Sequence, residues 1–220
     1  MTRDGTAKEA LYSRSLMEAL SPPDAELAAN VDQRVMFWNV SWDAFEAFLR
    51  MKGESSGVRV AYLEGALELM SPSEGHESTK TKWARILEAL AEEVGVLFEG
   101  RGSWTLKRRR EETGAEPDEC YFVGHAEGKV PDLALEVVWT SGGLDKLEIC
   151  RRLGVREVHV WERSRISVHV LRRGGYVPAE SSEVWPELDL SLVARCLKRP
   201  TQTEAVRLLR SALRRGKARH

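Results

Sequence analysis

The chain holds only three cysteines, Cys120, Cys150 and Cys196, an odd number spread widely over 220 residues. A disulfide framework is excluded, and the spacing matches no paired metal-ligand motif. Each reads as a small apolar residue of the interior. Also missing is any apolar run near the ~20 residues needed to cross a bilayer. The opening segment, "MTRDGTAKEALYSRSLMEAL", is charged throughout and lacks the unbroken apolar stretch of a secretory signal. The expected setting is therefore the cytoplasm, with no membrane partner. Net charge is small, −1 from 33 Lys/Arg against 34 Asp/Glu, so the whole molecule is not a polycation. There is no internal repeat. What remains, 42% hydrophobic and 30% charged residues, is enough for one globular domain with a sizeable core.

Residues 1–35 show no sustained period and read as a loosely held arm with one short helix. Ser41 is a candidate N-cap for a helix whose apolar positions Trp42, Phe45, Phe48 and Leu49 share a face. "VRVAYLEGALELMSP" reads as a hairpin around Glu64-Gly65, stopped by Pro72. A helix begins near His76; Trp83, Ile86, Leu87, Leu90, Ala91 and Val94 form its apolar stripe and Gly95 closes it. Strands are expected at "VLFEG", "SWTLK", "ECYFV" and "LALEVVW", then a short helix over 144–153 ended by Gly154. "EVHVWE" and "ISVHVLR" are two more strands, and "DLSLVARCL" and "TEAVRLLRSALRR" are terminal helices. This order predicts the α/β (α+β) class, with a mixed sheet and helices on its faces. The chain divides into an arm at 1–35, a core domain at 36–175 and a C-terminal helical extension at 176–220. The end from Arg207 to His220 carries six Lys/Arg and no acid, which is either a solvated helix end or a phosphate contact.

Glu136 stands among Leu133, Ala134, Leu135, Val137 and Val138, a run apolar on both faces and so a central buried strand. An ionised carboxylate there needs a partner. Arg151 or Arg152 is one solution and a divalent cation, Mg²⁺ or Mn²⁺, is the other. Asp132 lies ~13 Å from Glu136 along the same strand, too far to share an ion, and suits the turn behind Pro131. Asp118 opens the preceding strand. Since adjacent strands lie ~4.8 Å apart, suitable register sets it beside Glu136. Lys146 shares a helix face with Cys150 and Leu153. Its stem either packs while the head reaches water, or the ammonium reaches these acids.

The segments "AYLEGALELMSPSEGHE", "EPDECYFV", "PDLALEVV" and "LDKLEICRRLGVREVHVWE", in that order, resemble the Uma-type family of restriction-endonuclease-like proteins, within the PD-(D/E)xK nuclease superfamily. The resemblance spans about residues 36–172. It implies a restriction-endonuclease-like mixed sheet flanked by helices and Mg²⁺-dependent (or Mn²⁺-dependent) hydrolysis of DNA phosphodiester bonds. By position Asp118 stands at the aspartate of the PD motif and Glu136 at the acid of (D/E)xK, with the Val137 carbonyl as a third metal ligand. Two residues past Glu136 the superfamily carries a lysine, but this chain carries Val138. The Uma-type pattern places the lysine on the following helix, at Lys146. His76 matches a recurrent histidine that either supports the site, contacts phosphate, or is a solvated residue at a helix start, and Glu64 matches an acid of the hairpin. The basic run Lys107, Arg108, Arg109 and Arg110 either tracks the DNA backbone or is a solvated loop, since Glu111 and Glu112 follow at once. The rival readings are a non-catalytic module of the same fold that binds DNA or a protein partner, and a buried ion network of Asp118, Glu136 and Lys146. A homodimer would suit cleavage of both strands.

Overall fold

The structure is a computed structural model that describes residues 30–217 apart from 54 and 56. The short helix expected in the arm and the basic residues beyond 217 lie outside the described residues. Strand β1 (Gln33–Phe37) leads to helix α1 (Trp42–Lys52), capped by Ser41, whose Oγ accepts the Ala44 N–H. Trp42 and Phe45 are buried on its inner face, and the Phe45 ring stacks on Tyr62 at 4.6 Å. Strands β2 (Arg59–Leu63) and β3 (Ala66–Ser71) form the expected hairpin, with Glu64 and Gly65 both at positive φ. Ser73 then caps helix α2 (Glu74–Val94), which Gly95 ends in the left-handed conformation.

The short strands β4 (Phe98–Gly100), β5 (Leu106–Arg108) and β6 (Thr113–Ala115) follow, with a 3-10 turn at Arg109–Glu111 between the last two. Next come β7 (Glu119–Val123), β8 (Leu133–Val138), helix α3 (Lys146–Leu153), β9 (Glu157–Glu162), β10 (Arg165–Arg172) and β11 (Gly175–Ala179). Helices α4 (Leu190–Leu197) and α5 (Gln202–Lys217) complete the described chain.

The strands form two sheets rather than a single one. The first is antiparallel with order β1-β3-β2-β6-β5. The second has order β11-β10-β9-β8-β7-β4 and is mixed, because β8 and β9 pair in parallel through the α3 crossover. The chain passes between sheets at Glu116-Pro117-Asp118. Pro117 has no N–H for a ladder. The buried Glu116 accepts the Val60 N–H and pairs with Lys52, which ties the crossing to the first sheet. Strands β1, β6 and β11 were not expected from the sequence; β6 is three residues long and has no legible period.

The main core lies between α2, the second sheet, α4 and α5, where Trp83, Leu87, Trp185, Val193 and Leu209 are buried. Within the segment expected as an extension, Trp185, Val193 and Leu209 are therefore part of that core, and β11 runs across the expected boundary at 175. The last residues of the expected arm likewise join β1. All three cysteines are buried and free. Among the described residues no helix is long and apolar enough to cross a membrane.

One buried carboxylate fastens the C-terminal segment to the second sheet. Glu157 Oε1 is 2.5 Å from His159 Nε2, and Oε2 accepts the N–H groups of Glu183 and Val184. Burial alone would raise the Glu157 pKa, but His159 and Ser182 outweigh it and hold it below the usual glutamate range. A carboxyl with a depressed folded-state pKa contributes stability above the ordinary range and loses it as the pH falls. Glu157→Ala leaves those donors without an acceptor and should therefore cost about 1–3 kcal/mol near neutrality, read by urea unfolding. The gap between wild type and variant should narrow as the medium is acidified below the usual glutamate range.

Candidate active site

The β7–β8 register sets Glu119 opposite Leu135, and continuing it by one residue sets Asp118 beside Glu136. Asp118 is buried and well held. Its Oδ2 accepts the Val137 N–H at 2.7 Å, and its Oδ1 lies 2.9 Å from His76 Nε2. The other ring nitrogen of His76 lies 3.2 Å from Asp32 Oδ2, while Asp32 Oδ1 accepts the Ser73 N–H. His76 thus stands in the first turn of α2 with a carboxylate on each side. Burial alone would lower its pKa, but Asp118 and then Asp32 outweigh it and push it up to about 9. It is an imidazolium at neutral pH. Its charge in turn overcomes the effect of burial on Asp118 and Asp32 and lowers both.

Glu136 is placed differently. It is buried, and its Oε1 has no hydrogen-bond partner among the described residues. Burial, and then the neighbouring charge of Asp118, push its pKa up to about 8. Neither arginine considered from the sequence answers it: Arg151 pairs with Glu148, and Arg152 pairs with Glu148 and Glu64. The partial answer comes from Lys146, the first residue of α3 behind the Asp145 cap, whose charge draws down the pKa of both Asp118 and Glu136. The Lys146 Nζ is 3.8 Å from Glu68 Oε1, with 24% of the side chain exposed.

Two acids of this cluster were missed from the sequence. Glu68 is buried in β3, and its Oε2 accepts the Leu144 N–H at 2.7 Å, which ties the start of α3 to the first sheet. A signal existed, because "ALELM" is an acid inside an apolar run, the same pattern that singled out Glu136. Asp32 lies in a stretch without period and offered none.

Asp118, Glu136, Lys146, His76 and Glu68 open into one cavity of about 420 Å³. The three groups on which the sequence reading depends are therefore brought together. The basic run is not: Lys107 pairs with Glu46, Arg109 with Asp43, and Arg108 donates to the Arg152 carbonyl, and none of the three lines the cavity. Asp132 accepts the Val123 N–H and pairs with Arg156 and His125, so it holds the turn between β7 and β8. Glu64 occupies the left-handed turn position and pairs with Arg152. Another cavity, of about 540 Å³, lies between α2, β4 and α5. Its Arg210 pairs with Glu92, and no side chain lining it has a buried polar atom without a partner.

The donors suit a hard divalent cation. They are two adjacent carboxylates, one with a bare buried oxygen, and Mg²⁺ is typically held by one or two carboxylates with water completing its shell. Among the described residues no three His, Cys, Asp or Glu side chains converge into a closed metal cage.

Fold and site together define a mixed α+β protein with a carboxylate pair, an imidazolium and a lysine meeting where two sheets adjoin. The model of the Uma2 family, described as "Putative restriction endonuclease", matches residues 45–198, and the chain belongs to that family. Among solved structures it is similar to a "putative nuclease belonging to DUF820 from Anabaena variabilis ATCC 29413", at 12% identity and a TM-score of 0.46, over 74% of this chain and 97% of that one. No curated protein matches the chain.

The close approach of Glu68 requires glycine at 143. The backbone there has φ +94°, and a Cβ would stand 2.2 Å from Glu68 Oε2. Gly143→Ala should cost about 1–3 kcal/mol, read as a lowered melting temperature, whereas Gly142→Ala, with positive φ but open space around it, should cost less.

Proposed function

We propose that this protein is a Mg²⁺-dependent (or Mn²⁺-dependent) endonuclease that hydrolyses DNA phosphodiester bonds. The observation that carries the reading is the buried, unpartnered Oε1 of Glu136 beside the charged Asp118, with Lys146 in the same cavity. Asp118, Glu136 and the Val137 carbonyl are the residues that would hold the cation. When bound, the cation supplies Lewis acidity toward a phosphoryl oxygen and the attacking water.

The chain's own groups have distinct parts in this reading. The Lys146 ammonium faces the carboxylate pair from α3 and stabilises negative charge that builds on the phosphorus centre. The lysine reaches the site from a helix because Val138 occupies the strand position the superfamily uses. Glu68 fixes the α3 N-terminus and so aims Lys146. His76 acts as a positioning residue. Its ring carries a proton and is held by two carboxylates, so it orients Asp118 and does not take a proton from water. DNA is the partner of this site.

The rival is a non-catalytic module of the same fold that binds DNA or a protein partner. The lack of a closed three-donor cage among the described residues favours it. Nicking of supercoiled plasmid in Mg²⁺ or Mn²⁺, suppressed by EDTA, separates the two. Lys146→Ala should lower nicking by a factor of about 10²–10³ and leave Mn²⁺ binding by calorimetry intact. Asp118→Asn should weaken Mn²⁺ binding. A wild-type protein that never nicks favours the module, and an unaltered Mn²⁺ titration in Asp118→Asn removes the metal assignment.

A further inference from the structure

The cavity continues past the carboxylate pair. Across β8, β9 and β10 the registers set Glu136 beside Val160 and Val160 beside Ser167, so the three residues form one row. With ~4.8 Å between strands, Ser167 stands about 10 Å from Glu136. A group held there is too far from Glu136 to be the phosphodiester under attack and close enough to belong to a flanking nucleotide of the same strand.

At this end the walls change character. Val138, Leu147 and Val160 line it with apolar surface, and Glu162, Ser167 and His169 supply the polar groups. His169 Nε2 lies 3.1 Å from Ser167 Oγ. Of the four described histidines, His76, His125 and His159 each contact a carboxylate, and His169 contacts none. Burial, and then the nearby His159, hold its pKa below the usual histidine range, so the ring is neutral at pH 7. A neutral imidazole and a hydroxyl that share one hydrogen bond leave one donor over. It is Nδ1–H if the serine donates, and the serine O–H if the ring donates. Glu162 adds an acceptor, whose ion-pair partner among the described residues is Arg163 at 4.0 Å.

One donor, one acceptor and apolar walls match the edge and faces of a heterocyclic base. They do not match a phosphate, which the Glu162 carboxylate repels. A base stacked and paired in a duplex keeps its edge occupied and cannot enter a concave pocket of this size. We propose that the β9–β10 end of the cavity is a nucleobase subsite, with Glu162, Ser167 and His169 as its specificity residues, that accepts an unpaired base of single-stranded DNA next to the phosphodiester at Asp118 and Glu136. This inference rests on the nuclease reading above for what occupies the carboxylate end.

The test is fluorescence anisotropy of a labelled 12-nucleotide DNA, single-stranded or annealed to its complement, in Ca²⁺. The wild type should bind the single strand at least about tenfold tighter, a free-energy difference of about 1.4 kcal/mol. Glu162→Ala and His169→Ala should each weaken single-strand binding severalfold, with unchanged duplex binding, Mn²⁺ titration and melting temperature. The sign for Glu162→Ala is decisive. A carboxylate that accepts from a base is missed when removed, whereas one that merely repels phosphate gives tighter binding when removed. Tighter binding by Glu162→Ala, equal affinity for both DNAs, or no binding of either overturns the subsite. Plasmid nicking without a single-strand preference removes the subsite and keeps the nuclease. A single-strand preference without nicking removes the nuclease and keeps the subsite.

Discussion

Two carboxylates held side by side in a buried ladder, Asp118 and Glu136, are the constraint around which the rest of the site is arranged. Their charges repel, and burial removes the water that would screen them. The protein resolves the conflict unevenly. Asp118 receives a backbone N–H and an imidazolium, and stays ionised. Glu136 receives no hydrogen bond on Oε1 and its pKa rises. Four carboxylates (Asp32, Glu68, Asp118 and Glu136) face three cations (Arg34, His76 and Lys146), so full ionisation leaves one negative charge in excess. A proton on Glu136 cancels that charge. A divalent cation would more than offset it, and that is the electrostatic case for a metal at this position.

The cluster also explains how two separate sheets stay in place against each other. Asp32 and Arg34 belong to β1 and the residue just before it, in the first sheet. The Asp32 N–H donates to the Thr140 hydroxyl and the Arg34 guanidinium to the Thr140 carbonyl, just past β8 of the second. Glu68 of β3 takes the N–H that begins α3. His76, at the start of α2, bridges Asp32 to Asp118 across the same gap. Each of these contacts spans the two sheets and also orients a group lining the cavity. Truncating any of them disturbs the fold as well as the site, and so isosteric substitutions are the informative ones here.

Much of this arrangement was legible from local pattern. The stripe from Trp83 to Val94 and the closing Gly95 marked α2, because a helix that buries one face must repeat its apolar residues at helical spacing. Glu64-Gly65 marked the hairpin through its turn chemistry. The solitary Glu136 in an apolar strand marked a candidate site, because burying a charge there is costly unless something pairs with it. Glu68 carried the same mark inside "ALELM" and went unread. The basic run 107–110 left both a DNA contact and a solvated loop open. The charges of Lys107, Arg108 and Arg109 answer Glu46, the end of α3 and Asp43, partners distant in sequence that no local pattern announces.

The sequence by itself determined most of the elements, their order and the pair of acids to look for, since these follow from periodicity, capping and the energetics of a single strand. Only the tertiary structure decided that the strands divide into two sheets, that α4 and α5 help complete the main core, that Glu68 and His169 share a cavity with Lys146, and that Asp32 holds His76 beside it. The physical reason is range. Helix and turn signals act over a few residues, whereas pairing an edge strand or partnering a buried charge is settled by which surfaces meet when the chain closes.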